Sequence, residues 1–270
     1  MDHDTARARF RLLHESGTFT MPNAYDEGSA RLLADLGFEA VATTSSGHAA
    51  TLGRRDMTVT RDELVAHAAA LARATALPLS VDAEQCFPDE AGGVAGTVER
   101  LAEAGAAGCS IEDWDPRAAR IEPLEVATAR VAEAAPAASA AGMVLTARAE
   151  NLLRGVDDLD DTIARLGAYR DAGAGCVYAP GLVDADAIRR VVVEVGAPLN
   201  VLLLRGGPSR DALAGIGVRR LSVGGWLAFV AYGAMVRAAT HLRDEGTLDE
   251  TAVVVGRDVV ARAFATSPST

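Results

Sequence analysis

Residues 101–113 read Leu101-Ala102-Glu103-Ala104-Gly105-Ala106-Ala107-Gly108-Cys109-Ser110-Ile111-Glu112-Asp113, and the architecture follows from them. A helical run stops at Gly105, a residue that ends helices because it tolerates positive φ. A short apolar run, 108–111, follows directly and reads as a strand, and it ends in two acids. The phrase Ala-Gly-Ala returns at 172–174, again immediately before an apolar run. A helix stop feeding a strand, repeated along a chain, is the unit of an α/β protein with a parallel sheet.

Outward from this stretch the alternation continues in both directions. Short apolar runs at 18–21, 40–43, 79–81, 108–111, 144–147, 176–179, 199–203 and 220–223 read as strands. Amphipathic runs at 27–36, 61–75, 96–104, 124–134, 158–172, 184–195, 209–215 and 226–245 show apolar residues at three- and four-residue spacing and read as helices. Gly37, Gly105, Gly173 and Gly196 stand just past helix ends. Eight such units with no break in composition predict a single (β/α)8 barrel over residues 1–245. An open doubly wound sheet would carry a glycine-rich dinucleotide fingerprint, and none follows the first strand. Residues 246–270 read as one further helix, 248–265, and a polar tail. That helix has no slot in the barrel and is expected to be exchanged with a neighbouring subunit in a homodimer or homotetramer.

Composition narrows the function. A net charge of −11 argues against nucleic acid and anionic membrane surfaces. No apolar stretch is long and clean enough to span a bilayer. The acidic start, Met1-Asp2-His3-Asp4, lacks the regions of a secretory signal, and Cys86, Cys109 and Cys176 show no paired spacing. A cytoplasmic protein with reduced thiols is expected. All 26 Lys and Arg residues are arginine. The absence of lysine excludes Schiff-base aldolases, pyridoxal-phosphate enzymes and Walker-type phosphate loops. Carbonyl chemistry here needs a metal or an arginine as its electron sink.

Active sites of such barrels lie at the C-terminal ends of the strands, and the charged residues fall there. Asp82 and Glu84 end the third strand, two apart and so on one side. Glu112 ends the fourth, and Arg148 with Glu150 ends the fifth. Carboxylate oxygens with water suit Mg²⁺, or Mn²⁺, and no His/Cys set is present for zinc. His48, at the end of the second strand, is a candidate general base. Tyr178 and Asn200 are candidates for the pocket wall, and Cys86 for a proton donor. Arg205-Gly206-Gly207 and Ser222-Val223-Gly224-Gly225 stand where many barrels bind phosphate.

The chain resembles the phosphoenolpyruvate mutase/isocitrate lyase superfamily over nearly its whole length. The resemblance rests on Met21-Pro22-Asn23-Ala24, Thr43-Thr44-Ser45-Ser46-Gly47, Leu52-Gly53-Arg54-Arg55-Asp56, Asp82-Ala83-Glu84, Ile111-Glu112-Asp113, Arg148-Ala149-Glu150, Ala179-Pro180-Gly181 and Ser222-Val223-Gly224-Gly225. It implies Asp82 as the principal Mg²⁺ contact, with Glu84 and Glu112 holding the metal's waters. It also implies Arg148 at the oxyanion of a pyruvate-like enolate. The backbone of Thr44, Ser45 and Ser46 would lie at the substrate carboxylate, and Asp56 near the reacting centre. The lyase branch carries a Lys-Lys-Cys-Gly-His loop after the fourth strand, whereas here that place reads Trp114-Asp115-Pro116-Arg117-Ala118-Ala119-Arg120. Gln85-Cys86-Phe87 replaces the usual Gly-Gly-aromatic run.

The expected activity is a metal-dependent lyase or hydrolase that cleaves a C–C or P–C bond of a small 2-oxo or 2-hydroxy acid through an enolate. Alternatives are a metal-dependent pyruvate aldolase and a barrel that binds a carboxylate without chemistry.

Overall fold

The computed structural model describes residues 2–265, so the expected polar tail at 266–270 lies outside it. In chain order the elements are α1 (His3–Glu15), β1 (Phe19–Thr20), α2 (Glu27–Asp35), β2 (Val41–Ala42), α3 (Ser45–Thr51), α4 (Arg61–Ala74), β3 (Leu79–Asp82) and α5 (Gly93–Glu103). Then come β4 (Gly108–Glu112), β5 (Trp114–Asp115), β6 (Arg120–Ile121), α6 (Leu124–Ala140), β7 (Val144–Arg148), α7 (Leu159–Asp171) and β8 (Cys176–Tyr178). The chain ends with α8 (Ala185–Val195), β9 (Leu199–Leu202), α9 (Arg210–Ile216), β10 (Arg220–Ser222), α10 (Trp226–Glu245) and α11 (Arg257–Ala263).

Eight strands form one parallel sheet in the order β1-β10-β9-β8-β7-β4-β3-β2. The ends of that order meet. Asn23 bridges Ala42 in parallel, Ala24 N–H donates to Ala42 O at 2.7 Å, and Ala42 N–H donates to Pro22 O at 2.9 Å. The segment after β1 thus closes the sheet against β2, giving the (β/α)8 barrel that the alternation predicts. Period-two patterning divides the side chains of each strand. One set, including Val41, Leu79, Val81, Cys109, Ile111, Leu145, Val177, Leu199, Val201 and Leu221, packs in the large core with the helices. The other set fills the barrel interior. Low in the barrel it is apolar, with Phe19, Met21, Ala42, Val144 and Cys176 in one cluster. Ser80, Asp82, Ser110, Arg148, Tyr178, Asn200, Arg220 and Ser222 face a cavity.

Several features differ from the sequence expectation, among them α3, which no expected helical run covered. Helix α1 was not anticipated, because its polar start hides a buried face of Ala6, Phe10 and His14. Asp2 caps it by accepting from Thr5 N–H. Phe10 plugs the N-terminal mouth of the barrel. A Cβ on Gly108 would stand 2.7 Å from the Phe10 ring, so the glycine makes room for the plug. Helix α6 runs through Pro136 to Ala140, where 134 was the expected end, because Ala134 and Ala138 continue its buried face. After β4 the strands β5 and β6 form an antiparallel hairpin. The terminal helix is only Arg257–Ala263, not 248–265. The β-branched run Val253-Val254-Val255 and then Gly256 disfavour an earlier start. Helix α11 seats on α2 of its own chain, with Arg262 Nε 2.7 Å from Asp35 Oδ1.

Candidate active site

The acids named above converge on Arg148, the last residue of β7. Register pairs Glu112 with Arg148 across β4 and β7, and Asp82 with Ser110 across β3 and β4. Neighbouring strand ends therefore present their charged residues side by side. The Arg148 guanidinium donates from Nη1 to Asp82 Oδ1 at 2.7 Å and from Nε to Glu150 Oε1 at 2.9 Å. Its Nη2 lies 3.2 Å from Glu112 Oε2 and 2.8 Å from Glu150 Oε1. The Tyr178 ring stacks beneath it, 5.1 Å from the guanidinium carbon. Burial opposes its charge, but Glu150, Glu112 and Asp82 outweigh that and push its pKa further up.

The carboxylates carry more negative charge than one arginine answers. Glu112 is buried, and among the described residues its Oε1 has no hydrogen-bond partner, nor has Oε2 of Glu150. Burial lifts Glu112 well above the usual carboxylate range, with Arg148 only partly opposing it. Burial, with the charges of Asp82 and Asp56, pushes Glu84 up to about 8. Glu84 has φ +52°, and Cys86 and Phe87 that follow have +59° and +50°. Of these, only Cys86 stands where the resemblance expects a glycine, and the left-handed region is strained for residues with a Cβ. The run turns the chain sharply after β3 and keeps Glu84 buried beside Asp82.

Asp82 is the most engaged acid. Its Oδ2 accepts from Ser45 N–H at 3.1 Å and its Oδ1 from Ser110 Oγ at 3.2 Å, while Thr43 Oγ1 accepts from its backbone N–H at 2.8 Å. Thr44 caps α3, which places Ser45 and Ser46 at the mouth. Asp56 stands at the rim. Desolvation raises its pKa, the Ser45 hydroxyl partly offsets this, and the Asp82 charge adds to the rise.

A cavity of about 190 Å³ opens here, bordered by Asp82, Asp56 and Arg148, while Glu84, Glu112 and Glu150 stand behind its wall and do not border it. Thr44, Ser45, Ser46, Asp56, Asp82, Arg148, Tyr178 and Asn200 all line it, as do Ser222, Gly224 and Gly225. The structure thus gathers most of the expected site. It does not gather all of it. His48 faces away, buried and stacked on His67 with ring centroids 3.7 Å apart, and both its nitrogens lack hydrogen-bond partners. Burial lowers its pKa. Cys86 is fully buried with its thiol against Ser110 O, and it does not border the cavity. The amides of Val223 and Gly224 donate to Asn23 Oδ1 at 3.0 and 2.9 Å, which commits them to the protein rather than to a phosphate. Arg205, Gly206, Gly207 and the β5–β6 hairpin do not reach the cavity.

Beneath the site lies a support that the sequence reading left unassigned. Asp113 Oδ1 accepts from Glu150 N–H at 2.8 Å, and its Oδ2 accepts from Tyr169 Oη at 2.7 Å and from Arg165 Nη1 at 3.1 Å. These bonds fix where Glu150 stands, and Glu150 in turn aims Arg148. A larger concavity of about 800 Å³ lies at the opposite end, under α1. Its Arg7 and Arg11 donate to the carbonyls of Ala102, Ala106 and Gly142, and none of the site acids reach it. The smaller cavity, not this one, holds most of the residues that the sequence singles out.

The donor set fits a hard divalent cation. Among the described residues no three His, Cys, Asp or Glu side chains form a ready cage. Mg²⁺ does not need one, since it keeps several waters and takes one or two carboxylates plus substrate oxygens. The partnerless Glu112 oxygen and the raised Glu84 carboxyl are what a missing positive charge nearby would leave.

A parallel barrel with acids and one arginine at its C-terminal strand ends defines a class of enzymes acting on small oxyanions. A sequence model of the phosphoenolpyruvate phosphomutase family matches residues 10–243, and the chain belongs to that family. It is 30% identical over 241 residues to an oxaloacetate decarboxylase of Pseudomonas putida (strain GB-1), covering 85% of this chain and 81% of the relative. A crystal structure from Burkholderia cenocepacia J2315, provisionally described as a lyase/mutase, shares 49% identity with a TM-score of 0.91, over 98% of this chain and 97% of that one. A phosphonopyruvate hydrolase solved with oxalate and Mg²⁺ shares the fold, at 21% identity and a TM-score of 0.84, over 97% of this chain and 95% of that one.

Proposed function

We propose that the protein is a Mg²⁺-dependent lyase or hydrolase that cleaves a C–C or P–C bond of a small 2-oxo acid through a pyruvate-like enolate. The observation that carries this reading is the Arg148 guanidinium, held by three acids at the wall of a cavity of about 190 Å³. That volume is below the roughly 300–1,000 Å³ of sites for drug-sized ligands, so the substrate is a small acid. Oxaloacetate, the substrate in the name of the Pseudomonas relative, is the first compound to assay.

Bound Mg²⁺, held by Asp82 with Glu84 and Glu112 around its waters, would supply positive charge at the 2-oxo oxygen and the adjacent carboxylate. The remaining roles fall to the chain. The amides of Thr44 and Ser46 and the hydroxyls of Thr44, Ser45 and Ser46 orient the substrate carboxylate at the mouth, the Ser45 amide being held by Asp82. As the bond to C3 breaks, its electron pair becomes the C2–C3 double bond, charge gathers on the C2 oxygen, and the electron-poor fragment departs as CO2 from oxaloacetate or is captured by water in the hydrolytic case. Arg148 donates to that oxygen and stabilises the charge as it develops. Asp56, with its raised pKa, delivers a proton to C3 and completes pyruvate. Tyr178 and Asn200 wall the cavity. His48 is assigned no proton-transfer role, because it faces away from the cavity.

We further propose that a second copy of this chain covers α10. That 20-residue helix buries only Ala228, and Trp226, Phe229, Met235 and Val236 are exposed along it. Of these, Trp226, Phe229 and Val236 share one side of the helix by its 3.6-residue turn, and an exposed apolar face of this kind marks an association surface. On this reading 1–245 is the catalytic barrel and 246–270 contributes to assembly. The free, buried thiols of Cys86, Cys109 and Cys176 suit the cytoplasm.

The test is deuterium exchange into the methyl group of pyruvate, followed by NMR with and without Mg²⁺. Metal-dependent exchange is expected in the native protein, lost in Asp82→Ala and Arg148→Ala. Exchange that persists in Arg148→Ala would remove the enolate role from that residue. Oxaloacetate turnover by the native protein that survives EDTA would sink the metal requirement.

A further inference from the structure

A second arginine borders the same cavity, and no carboxylate among the described residues neutralises it. Arg220, the first residue of β10, is 3% exposed and lines the cavity from its floor. Its Nε donates to Asn200 Oδ1 at 2.9 Å and its Nη2 to Thr146 Oγ1 at 3.0 Å. Its Nη1 lies 3.2 Å from His14 Nε2. None of these partners is charged. His14 Nδ1 lies 2.8 Å from the Phe10 carbonyl, so Nδ1 carries the proton and Nε2 turns its lone pair to the arginine. Burial, then the Arg220 charge, push His14 down to about 3, so it stays neutral at physiological pH.

The other buried arginines contrast with it. Arg61 reaches Glu90 at 3.8 Å, Arg165 reaches Asp113 at 3.1 Å, and Arg148 has three acids. Among the described residues no carboxylate pairs with Arg220. A buried charge without a counter-ion is costly and persists where something else compensates it. A guanidinium has five N–H groups, and three are engaged here. One N–H on Nη1 and one on Nη2 remain for a ligand. Asn200 is itself fixed, donating to Ser222 Oγ at 2.9 Å, so the arginine's plane is held by the barrel wall.

We propose that Arg220 is the counter-charge for a second anionic group on the substrate, and that it makes the site select dianions over monoanions of the same shape. The inference rests on the cavity being the small-acid site described above. Arg148 and the metal answer the charge that develops in the reaction. Arg220 answers the charge the substrate brings with it. His14 is a positioning residue, an acceptor that holds the guanidinium without cancelling its charge.

Oxalate and oxamate separate these roles, because the two are planar and nearly isosteric but carry two charges and one. Calorimetric titration with Mg²⁺ present would measure both against the native protein, Arg220→Gln, Arg220→Lys and His14→Glu. Arg220→Gln is expected to weaken oxalate about tenfold or more, the scale of one charge-assisted hydrogen bond, and oxamate by less than about threefold. His14→Glu gives Arg220 a carboxylate from below and alters nothing that lines the cavity, so the same loss of preference is expected. This variant carries the test should Arg220→Gln not fold. Arg220→Lys is expected to keep most of the preference. Equal weakening of both ligands, or unchanged oxalate affinity in His14→Glu, would overturn the inference and leave Arg220 a strut of the barrel floor. A native protein that binds neither ligand would instead overturn the small-acid assignment of the cavity, and this inference with it.

Discussion

The two ends of the barrel hold one buried arginine each, and their surroundings are opposite. At the C-terminal end Arg148 sits among Asp82, Glu112 and Glu150, with carboxylate oxygens left over. Toward the N-terminal end Arg220 sits among an amide, a hydroxyl and a neutral imidazole. The upper end carries surplus negative charge and the lower end surplus positive charge, with a small cavity between them. A cation is what the first lacks, and an anion is what the second lacks. A metal-bound small diacid supplies both, which is why the cavity is read as the site for that pair.

The largest effect is expected at the upper end. Arg148→Met removes the only positive charge among the described residues in direct contact with Glu112 and Glu150. Loss of activity on the order of a thousandfold is expected, the scale of removing an oxyanion donor. A buried ion pair broken from one side also costs about 3–5 kcal/mol. Steady-state rates and urea unfolding would measure the two separately. An unfolding free energy close to native would mean that the acids protonate without strain, and the upper end would then not be the charge trap described here.

Next in size is the opposite pH response of the two ends in the metal-free protein. Glu84 has a folded pKa of about 8, above its ordinary value of 4.5, so the folded state prefers the protonated acid. Its contribution to stability is full below about 4.5 and is lost as pH rises toward 8. His14 runs the other way. Its folded pKa of about 3 lies below 6.5, so stability is full above 6.5 and is lost as pH falls toward 3. His67, also near 3 through burial, adds to the acid side. Melting temperatures across this range should show that Glu84→Gln flattens the alkaline arm alone and His14→Gln reduces the acid arm alone. Either variant flattening both arms would show that the two ends are not electrostatically separate. Mg²⁺ should reduce the alkaline slope, because it favours the ionised carboxylates.

The upper end was legible in the sequence and the lower end was not, for a physical reason. Asp82, Glu112 and Arg148 each close an apolar run, and charge at the end of a buried strand has few explanations besides a site. Arg220 opens its strand, in Val218-Arg219-Arg220-Leu221, where a basic pair reads as the solvated start of an element. Only the period-two alternation with Ser222 separates it from Arg219, and that signal needs the strand register, which β9 supplies by pairing Arg220 with Asn200. His14 lay in a helix not anticipated at all. Glu150 was visible as an acid, but its role in aiming Arg148 depends on Asp113, Arg165 and Tyr169, which are distant in sequence. His48 was misleading because a histidine after a strand looks available, whereas its ring nests on His67 of α4.

The smallest effect concerns neither arginine and tests whether the catalytic barrel stands apart from its terminal segment. Within one chain α11 is tied to α2 through Arg262 and Asp35, an exposed pair on the arginine side. Such pairs are worth about 0–1 kcal/mol. A chain ending at Gly246 should therefore melt within a few degrees of native and keep its pyruvate exchange. Its assembly is the informative readout. If α10 alone forms the contact, sedimentation will show an unchanged oligomer, and Phe229→Arg will be needed to break it. If the segment after Gly246 is exchanged between copies, the truncated chain will sediment as a smaller species, while the balance between Arg148 and Arg220 inside each barrel stays as it was.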